Sequence, residues 1–492
     1  MKTLEQLTFD NSYARLPEIF HSSHEPRGLK DQHLIHFNEQ VAHLLELDSN
    51  ESKRDDFVEI ATGTKPLPGY EPIAMCYAGH QFGQLVHRLG DGRAIQLGEV
   101  VTDEGKRWDL QLKGAGQTLY SRGADGRAVL RSSVREYLCS AAMQGLGIGT
   151  SHALCLIGSN KVVYRERTEP GAMIMRVWPS NIRFGSFEYY YYQHRFDDLK
   201  LLADYTLEQH FPELQEAENP YLELLKTVIK RTAELMVEWQ AVGFAHGVMN
   251  TDNMSIHGIT IDYGPFGFLD AYDPGFICNH SDHSGRYAFN MQPQIALFNL
   301  SCLAQAMLPL FDEIPETSAE LASAELKGFQ AEFERLYLNK MCAKLGLQIK
   351  HEQDQQLVNT LLSAMADQKA DYTLTFRALS QYQADNTTDI TRHFKNPESI
   401  QAWLELYDLR LGKEKHSIAE RHSTMLAMNP KFILRNYIAE NAIRKAEDEH
   451  DYAEIDRLMR VLATPFDDHP EDNDLAETPP AWASGISISC SS

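Results

Sequence analysis

The chain has 492 residues, long enough for roughly three domains or lobes at about 150 residues each, and its 43 % hydrophobic content excludes wholesale disorder. Acidic residues outnumber basic ones 69 to 46, and the net charge of −23 disfavours nucleic-acid backbones and anionic membrane surfaces as partners. Seven scattered cysteines without a Cys-x-x-Cys pair, no secretory h-region and no apolar run near the ~18 residues of a membrane span together predict a soluble cytoplasmic enzyme.

Residues 1–82 carry amphipathic stretches such as HLIHFNEQVAHLLEL and the Pro/Gly-punctuated TGTKPLPGYEP, and are expected to form an N-terminal extension of short helices and loops. Over 83–184 the runs RAIQLGEVV, RWDLQLKG, KVVYRER and AMIMRVW are rich in strand formers and bounded by turn residues. One helix interrupts them: Leu130, Val134, Tyr137, Leu138 and Ala141 fall on one stripe, with Gly145 as a stop. Helical periods dominate 185–445, as in LELLKTVIKRTAELMVEWQAVGF, around a loop-rich stretch at 244–275. Residues 446–492 end in the acidic, proline-bearing DDHPEDNDLAETPPAWASG, read as a flexible tail. The expected class is α+β, a small β-rich lobe with one key helix followed by a large, mainly helical lobe.

Several residue sets could carry chemistry. Gly90, Gly92 and Arg93 in LGDGRAIQLGE could cradle a phosphate, or form a hairpin turn. Lys113 ends an apolar strand, where it could reach a phosphate or simply enter water. Glu136 lies opposite the apolar stripe of its helix and by itself reads as a solvated surface residue. The segment KGAGQTLYSRGADGR, with Asp125 and Gly126 near its end, concentrates glycines and cations and favours phosphate binding. Arg176 and Arg183 flank a Pro-Ser-Asn turn and could clamp a phosphate, with surface ion pairing as the alternative. In FAHGVMNTDNMSIHGITIDYGPFGFLD, a strand–turn–strand reading would bring Asn253 and Asp262 onto one magnesium ion, beside Asp252 as a proton acceptor. The aromatic run from Phe187 to Tyr192 reads as core packing rather than a base-stacking platform.

In order, these pieces follow a protein-kinase-like layout: glycine turn, strand lysine, helix glutamate, a catalytic loop HGVMNTDN, then Asp-Tyr-Gly for Asp-Phe-Gly. The third loop position, an aspartate in kinases, is Val248, and a missing base typically costs about 10²–10⁴-fold. Together with YAGHQFGQLVHRLGDGRA and NPKFILRN, the chain resembles the selenoprotein O (SelO/YdiU) family of kinase-fold protein adenylyltransferases over nearly its whole length. The resemblance implies a bilobal fold and an inverted ATP, with AMP passed to Ser, Thr or Tyr hydroxyls of proteins and pyrophosphate released; UMP transfer from UTP is a further activity of some members. It implies that Gly90, Gly92, Arg93, Lys113, Asp125, Gly126, Arg176, Arg183 and Asp262 hold the nucleotide. Glu136 would pair with Lys113, Asn253 and Asp262 would ligate Mg²⁺ or Mn²⁺, and Asp252 would take the proton. It also implies a redox link between Cys278 and Cys490, the latter in a terminal Cys-Ser-Ser; a monomer is expected. An ATP-binding scaffold without chemistry, or a kinase using Asp252, are the alternatives.

Overall fold

Alternating apolar residues in the first 178 positions assemble one antiparallel sheet. The computed structural model describes residues 1–165 and 167–488. Its strands are β1 (His21–Ser23), β2 (Gln32–Phe37) and β3 (Ile73–Met75), then a separate hairpin of β4 (Gly79–Gln81) and β5 (Gln84–Val86). The sheet continues with β6 (Ala94–Val101), β7 (Arg107–Lys113), β8 (Ala128–Val129), β9 (His152–Tyr164) and β10 (Thr168–Trp178). Across the sheet the order is β1-β3-β6-β7-β10-β9-β2, with β8 also pairing β10. The four strand runs expected from the sequence are thus β6, β7, β9 and β10.

Period-2 alternation decides which face each residue meets. Met173, Met175 and Val177 of β10 join Ile95, Leu110 and Leu112 in a core closed by the short helices α1 (Glu39–Leu44) and α2 (Phe57–Ala61). Ala172 and Ile174 point the other way, onto α3 (Leu130–Gly145). The stretch HLIHF, expected as helix, is instead β2, paired along β9. Its helix begins only after Asn38, whose side chain accepts from the Gln40 and Val41 amides and so caps α1. Segment 1–82, expected as an extension, supplies β1, β2 and β3 to the sheet itself.

Helices follow in succession, beginning with α4 (Phe184–Tyr192), α5 (Phe196–His210), α6 (Pro220–Val242) and α7 (Gln292–Phe311). The limits of α6 are legible chemistry: the Asn219 side chain accepts from the Leu222 amide, Pro220 opens the first turn, and Gly243 closes it at φ +72°. Phe187 and Tyr190 of α4 are fully buried, consistent with packing rather than stacking. The span Phe289–Phe311 has mean hydropathy 1.4 and is long and apolar enough to cross a membrane. This corrects the reading that no such run exists; α7 packs against α4 and α6, and more than half of the span is buried.

The acidic end does not trail free over its described part. Arg457 binds Asp472 and Asp474, Arg460 binds Glu471, and Trp482 meets Tyr437 edge-on. Leu475 and Ile488 are buried. The tail predicted to be flexible is therefore a docked strap.

Candidate active site

One cleft of about 730 Å³ gathers ten of the residues named from the sequence: Gly90, Gly92, Arg93, Lys113, Asp125, Gly126, Arg176, Arg183, Asn253 and Asp262. That volume suits a nucleotide-sized ligand. Val248 and Tyr77 line it as well. Glu136 and Asp252 sit behind its wall, 2 % and 8 % exposed.

The floor is a chain of buried charges. Lys113, opposite Ala94 and Ile174 in the sheet, pairs with Glu136. The other Glu136 oxygen accepts from Arg176 at 2.5 Å, and Arg176 also reaches Asp262 at 2.8 Å. Arg183 completes the set at 2.7 Å from the second Asp262 oxygen. The surface reading of Glu136 fails because its side chain faces the sheet, where Lys113 of β7 and Arg176 of β10 pair with it, while the helices Asn436–Arg444 and Ala453–Ala463 pack on other faces of α3. A helical wheel sees one helix and not what packs on its polar face.

These contacts set the charge states. Burial lowers the Lys113 ammonium to about 8, although Glu136 pulls the other way. Burial raises the Glu136 carboxyl, but Arg176 and Lys113 outweigh it and leave it below the ordinary value. Asp262 is held far below the carboxylate range, since Arg176, Arg183 and Lys113 overcome its burial. Burial raises Asp252 to about 7 against the Arg183 charge and a Gln81 hydrogen bond.

Three expectations change. Arg176 and Arg183 are buried and clamp Asp262, which removes the surface-residue reading, and both still line the cleft. Asp125 forms a two-pronged pair with Arg165, 2.9 Å at each oxygen, which ties the glycine-rich loop to the β9–β10 turn. Asn253 and Asp262 are not the two arms of a hairpin. Thr251–Asn253 is a single 3-10 turn, Ser255 bridges Arg183, and Thr260 bridges Thr150. The paired strands here are the short β11 (Phe244–Ala245) and β12 (Gly267–Phe268). Each ligand is therefore placed by a different neighbour, and Asp262 adopts φ +56° to aim its carboxylate.

The glycine turn is less of an amide cradle than its composition implied. The Asp91 and Gly92 amides already donate to the Met75 and Gly90 carbonyls, at 3.0 and 2.7 Å. A Cβ on Gly90 would lie 2.5 Å from the Tyr120 ring, so that glycine is required by packing. Arg93 and Arg122, by contrast, line the cleft and make no ion pair among the described residues. They present guanidinium groups to an anion.

For a divalent ion, the Asn253 amide nitrogen donates to the Val248 carbonyl at 2.9 Å, which turns its oxygen the opposite way. That oxygen and the ionised Asp262 carboxylate form the all-oxygen donor set a hard cation prefers when phosphates complete its shell. The residues fit, with the two arginines as competitors for Asp262.

Sequence reasoning missed four parts. Asp91 accepts from the Met75 amide and from Asn181 Nδ2, while Asn181 holds the Arg183 guanidinium. Gln81 Nε2 donates to Asp252 Oδ2 at 3.3 Å, and a Cβ on Gly79 would strike Asp252 Oδ1 at 2.3 Å. The only signal was the turn chemistry of GDG and GHQFG, which carries no partner information. Cys278 is buried and donates to the Ala245 carbonyl, whereas Cys490 lies outside the described residues.

Comparison with known proteins places this geometry. The family profile described as "Protein adenylyltransferase SelO" matches residues 3–463. Proteins named "Protein nucleotidyltransferase YdiU" are similar to this chain at full coverage of both partners: 54 % identity for that of Thioalkalivibrio sulfidiphilus (strain HL-EbGR7), 50 % for Thiobacillus denitrificans (strain ATCC 25259 / T1) and 49 % for Myxococcus xanthus (strain DK1622).

Proposed function

We propose that this chain, which belongs to the SelO family of protein adenylyltransferases, transfers AMP from ATP to Ser, Thr or Tyr hydroxyls of proteins. Nucleotidyl transfer to protein is the activity of the family, and the chain is an enzyme of that class. The nucleotide would lie inverted relative to a protein kinase, with its α-phosphate toward the acceptor, in a bilobal kinase-like frame. The observation that carries the reading is the pairing of Val248 in the cleft wall with a buried carboxylate at Asp252, beside a floor of three cations.

Each residue has a task that follows from its surroundings. Lys113, oriented by Glu136, and Arg93 and Arg122, which make no ion pair among the described residues, attract the triphosphate. Arg176 and Arg183 keep Asp262 ionised and in place. Asp252, raised toward neutrality by burial, accepts the hydroxyl proton as the acceptor oxygen bonds to the α-phosphorus and the bond to the β-phosphate oxygen breaks. Its Oδ1 is buried against Gly79 and has no hydrogen-bond partner among the described residues, so a proton there meets no competing donor. Pyrophosphate leaves against the cations of the floor. A Mg²⁺ or Mn²⁺ ion held by Asn253 and Asp262 would neutralise phosphate oxygens when bound.

Parallel incubations with α- and γ-labelled ATP test this. Label on protein from the α position only is expected. Transfer from γ alone would establish a kinase, and none from either an ATP-binding scaffold; α-labelled UTP in the same assay measures UMP transfer. The reading extends to a Cys278–Cys490 disulfide. Its support is that the Ile488 carbonyl accepts from the His280 amide at 2.8 Å, two residues from either cysteine. Equal activity of oxidised, reduced and Cys490→Ser protein would remove that part.

A further inference from the structure

The turn joining β4 to β5 breaks the chemistry of its own hairpin. Its two residues, Phe82 and Gly83, both have positive φ, +50° and +82°. Two-residue turns of this kind take Asn-Gly or Asp-Gly, because a bulky side chain is strained there. Burial offsets the strain only in part: the Phe82 ring packs against the Tyr287 ring at 5.1 Å between centroids, yet Phe82 remains 43 % exposed.

The strained residue is fastened to the catalytic loop. The Phe82 amide donates to the Tyr287 hydroxyl at 2.9 Å, and that hydroxyl donates to Asn250 Oδ1 at 2.6 Å. Two positions earlier, the His80 amide donates to Thr251 Oγ1 at 2.7 Å, and Gln81 between them reaches Asp252. A bulky apolar group is thus presented to solvent at a fixed position, one residue from the side chain that touches the proton acceptor. Strain that the surrounding structure enforces next to a reactive group is a signature of function.

We propose that Phe82 is a specificity-determining residue for the protein acceptor: its exposed ring packs against an apolar side chain flanking the target hydroxyl. This rests on the AMP-transfer reading and deepens it by naming the acceptor chemistry. The net charge of −23 acts against an acidic flank, and the Arg286 guanidinium beside Gly83 is the opposing charge that an aspartate-flanked acceptor would test.

The test uses the full chain, α-labelled ATP, and two synthetic peptides whose single threonine is flanked by leucine or by aspartate. Wild type should label the leucine peptide with roughly tenfold higher kcat/KM, the discrimination one apolar contact provides. Phe82→Asn is the decisive variant, since asparagine tolerates positive φ and relieves the strain. It should keep or raise Tm, leave KM for ATP unchanged and erase the preference for leucine, while Phe82→Leu retains part of it. The proposal is overturned if wild type shows no preference, if Phe82→Asn keeps it, or if KM for ATP shifts as much as KM for peptide. It is equally overturned if proteins are labelled and neither peptide is. Absence of any α-label on any acceptor would instead defeat the AMP-transfer reading, and this inference with it.

Discussion

At the scale of single residues, proximity in space overrides position on a wheel or a strand. Asp252 is buried, touched by Gln81, and braced through its backbone carbonyl by Arg183 at 2.7 Å. Asp252→Asn keeps the shape and removes the proton acceptor. AMP transfer should fall by about 10²–10⁴-fold with ATP affinity retained, measured by α-label transfer beside calorimetric ATP titration. Lys344 makes a separate prediction. Its ammonium is buried 4.5 Å from the Phe376 ring centre, and burial lowers it to about 7. An unfolded lysine titrates near 10.5, so between pH 7 and pH 10.5 the unfolded chain binds more protons and stability rises with pH. Lys344→Met should therefore stabilise the fold below pH 7, by on the order of 2–4 kcal/mol, and make little difference at pH 10, as followed by Tm against pH. Neither environment is visible in the sequence, where Asp252 is one of several loop carboxylates and Lys344 ends an ordinary amphipathic helix.

Elements were legible to the extent that their own residues dictate them. The caps of α6, the stripe of α3 and the strand runs of β6, β7, β9 and β10 follow from local chemistry, and the structure contains them. HLIHF was misread because its alternation is short and runs into a true helix; pairing with β9 decided it. The packing of α3 shows what an element cannot announce. Gly145 reads as a stop, yet its larger role is contact, since a Cβ there would lie 1.9 Å from the Leu462 carbonyl. Gly145→Ala should push α3 away from the helix Ala453–Ala463, costing about 1–3 kcal/mol in urea unfolding. Because Glu136 lies on the same helix, AMP transfer should also decline. A change confined to stability would separate scaffold from site.

For the whole molecule, the large negative charge is not spread evenly, since part of the acidic C-terminal stretch folds back onto Arg457, Arg460 and Lys431. Deleting residues 470–492 should expose Arg457, Arg460 and the partners of Leu475 and Ile488, lowering Tm by several degrees in calorimetry. Exposed pairs contribute little, so most of the loss should persist at high salt. The sequence by itself determined the family, the residue types of the cleft, the four long strands β6, β7, β9 and β10 and such helices as α3 and α6, because motifs and periodicity are written in consecutive residues. Only the tertiary structure decided that Arg176 and Arg183 grip Asp262, that Glu136 is buried, that Asp125 is tied to Arg165, and that a Phe-Gly hairpin rests on the catalytic loop. Those facts depend on groups dozens of residues apart sharing a low-dielectric space, where partners rather than positions set the charge state and the task of each side chain.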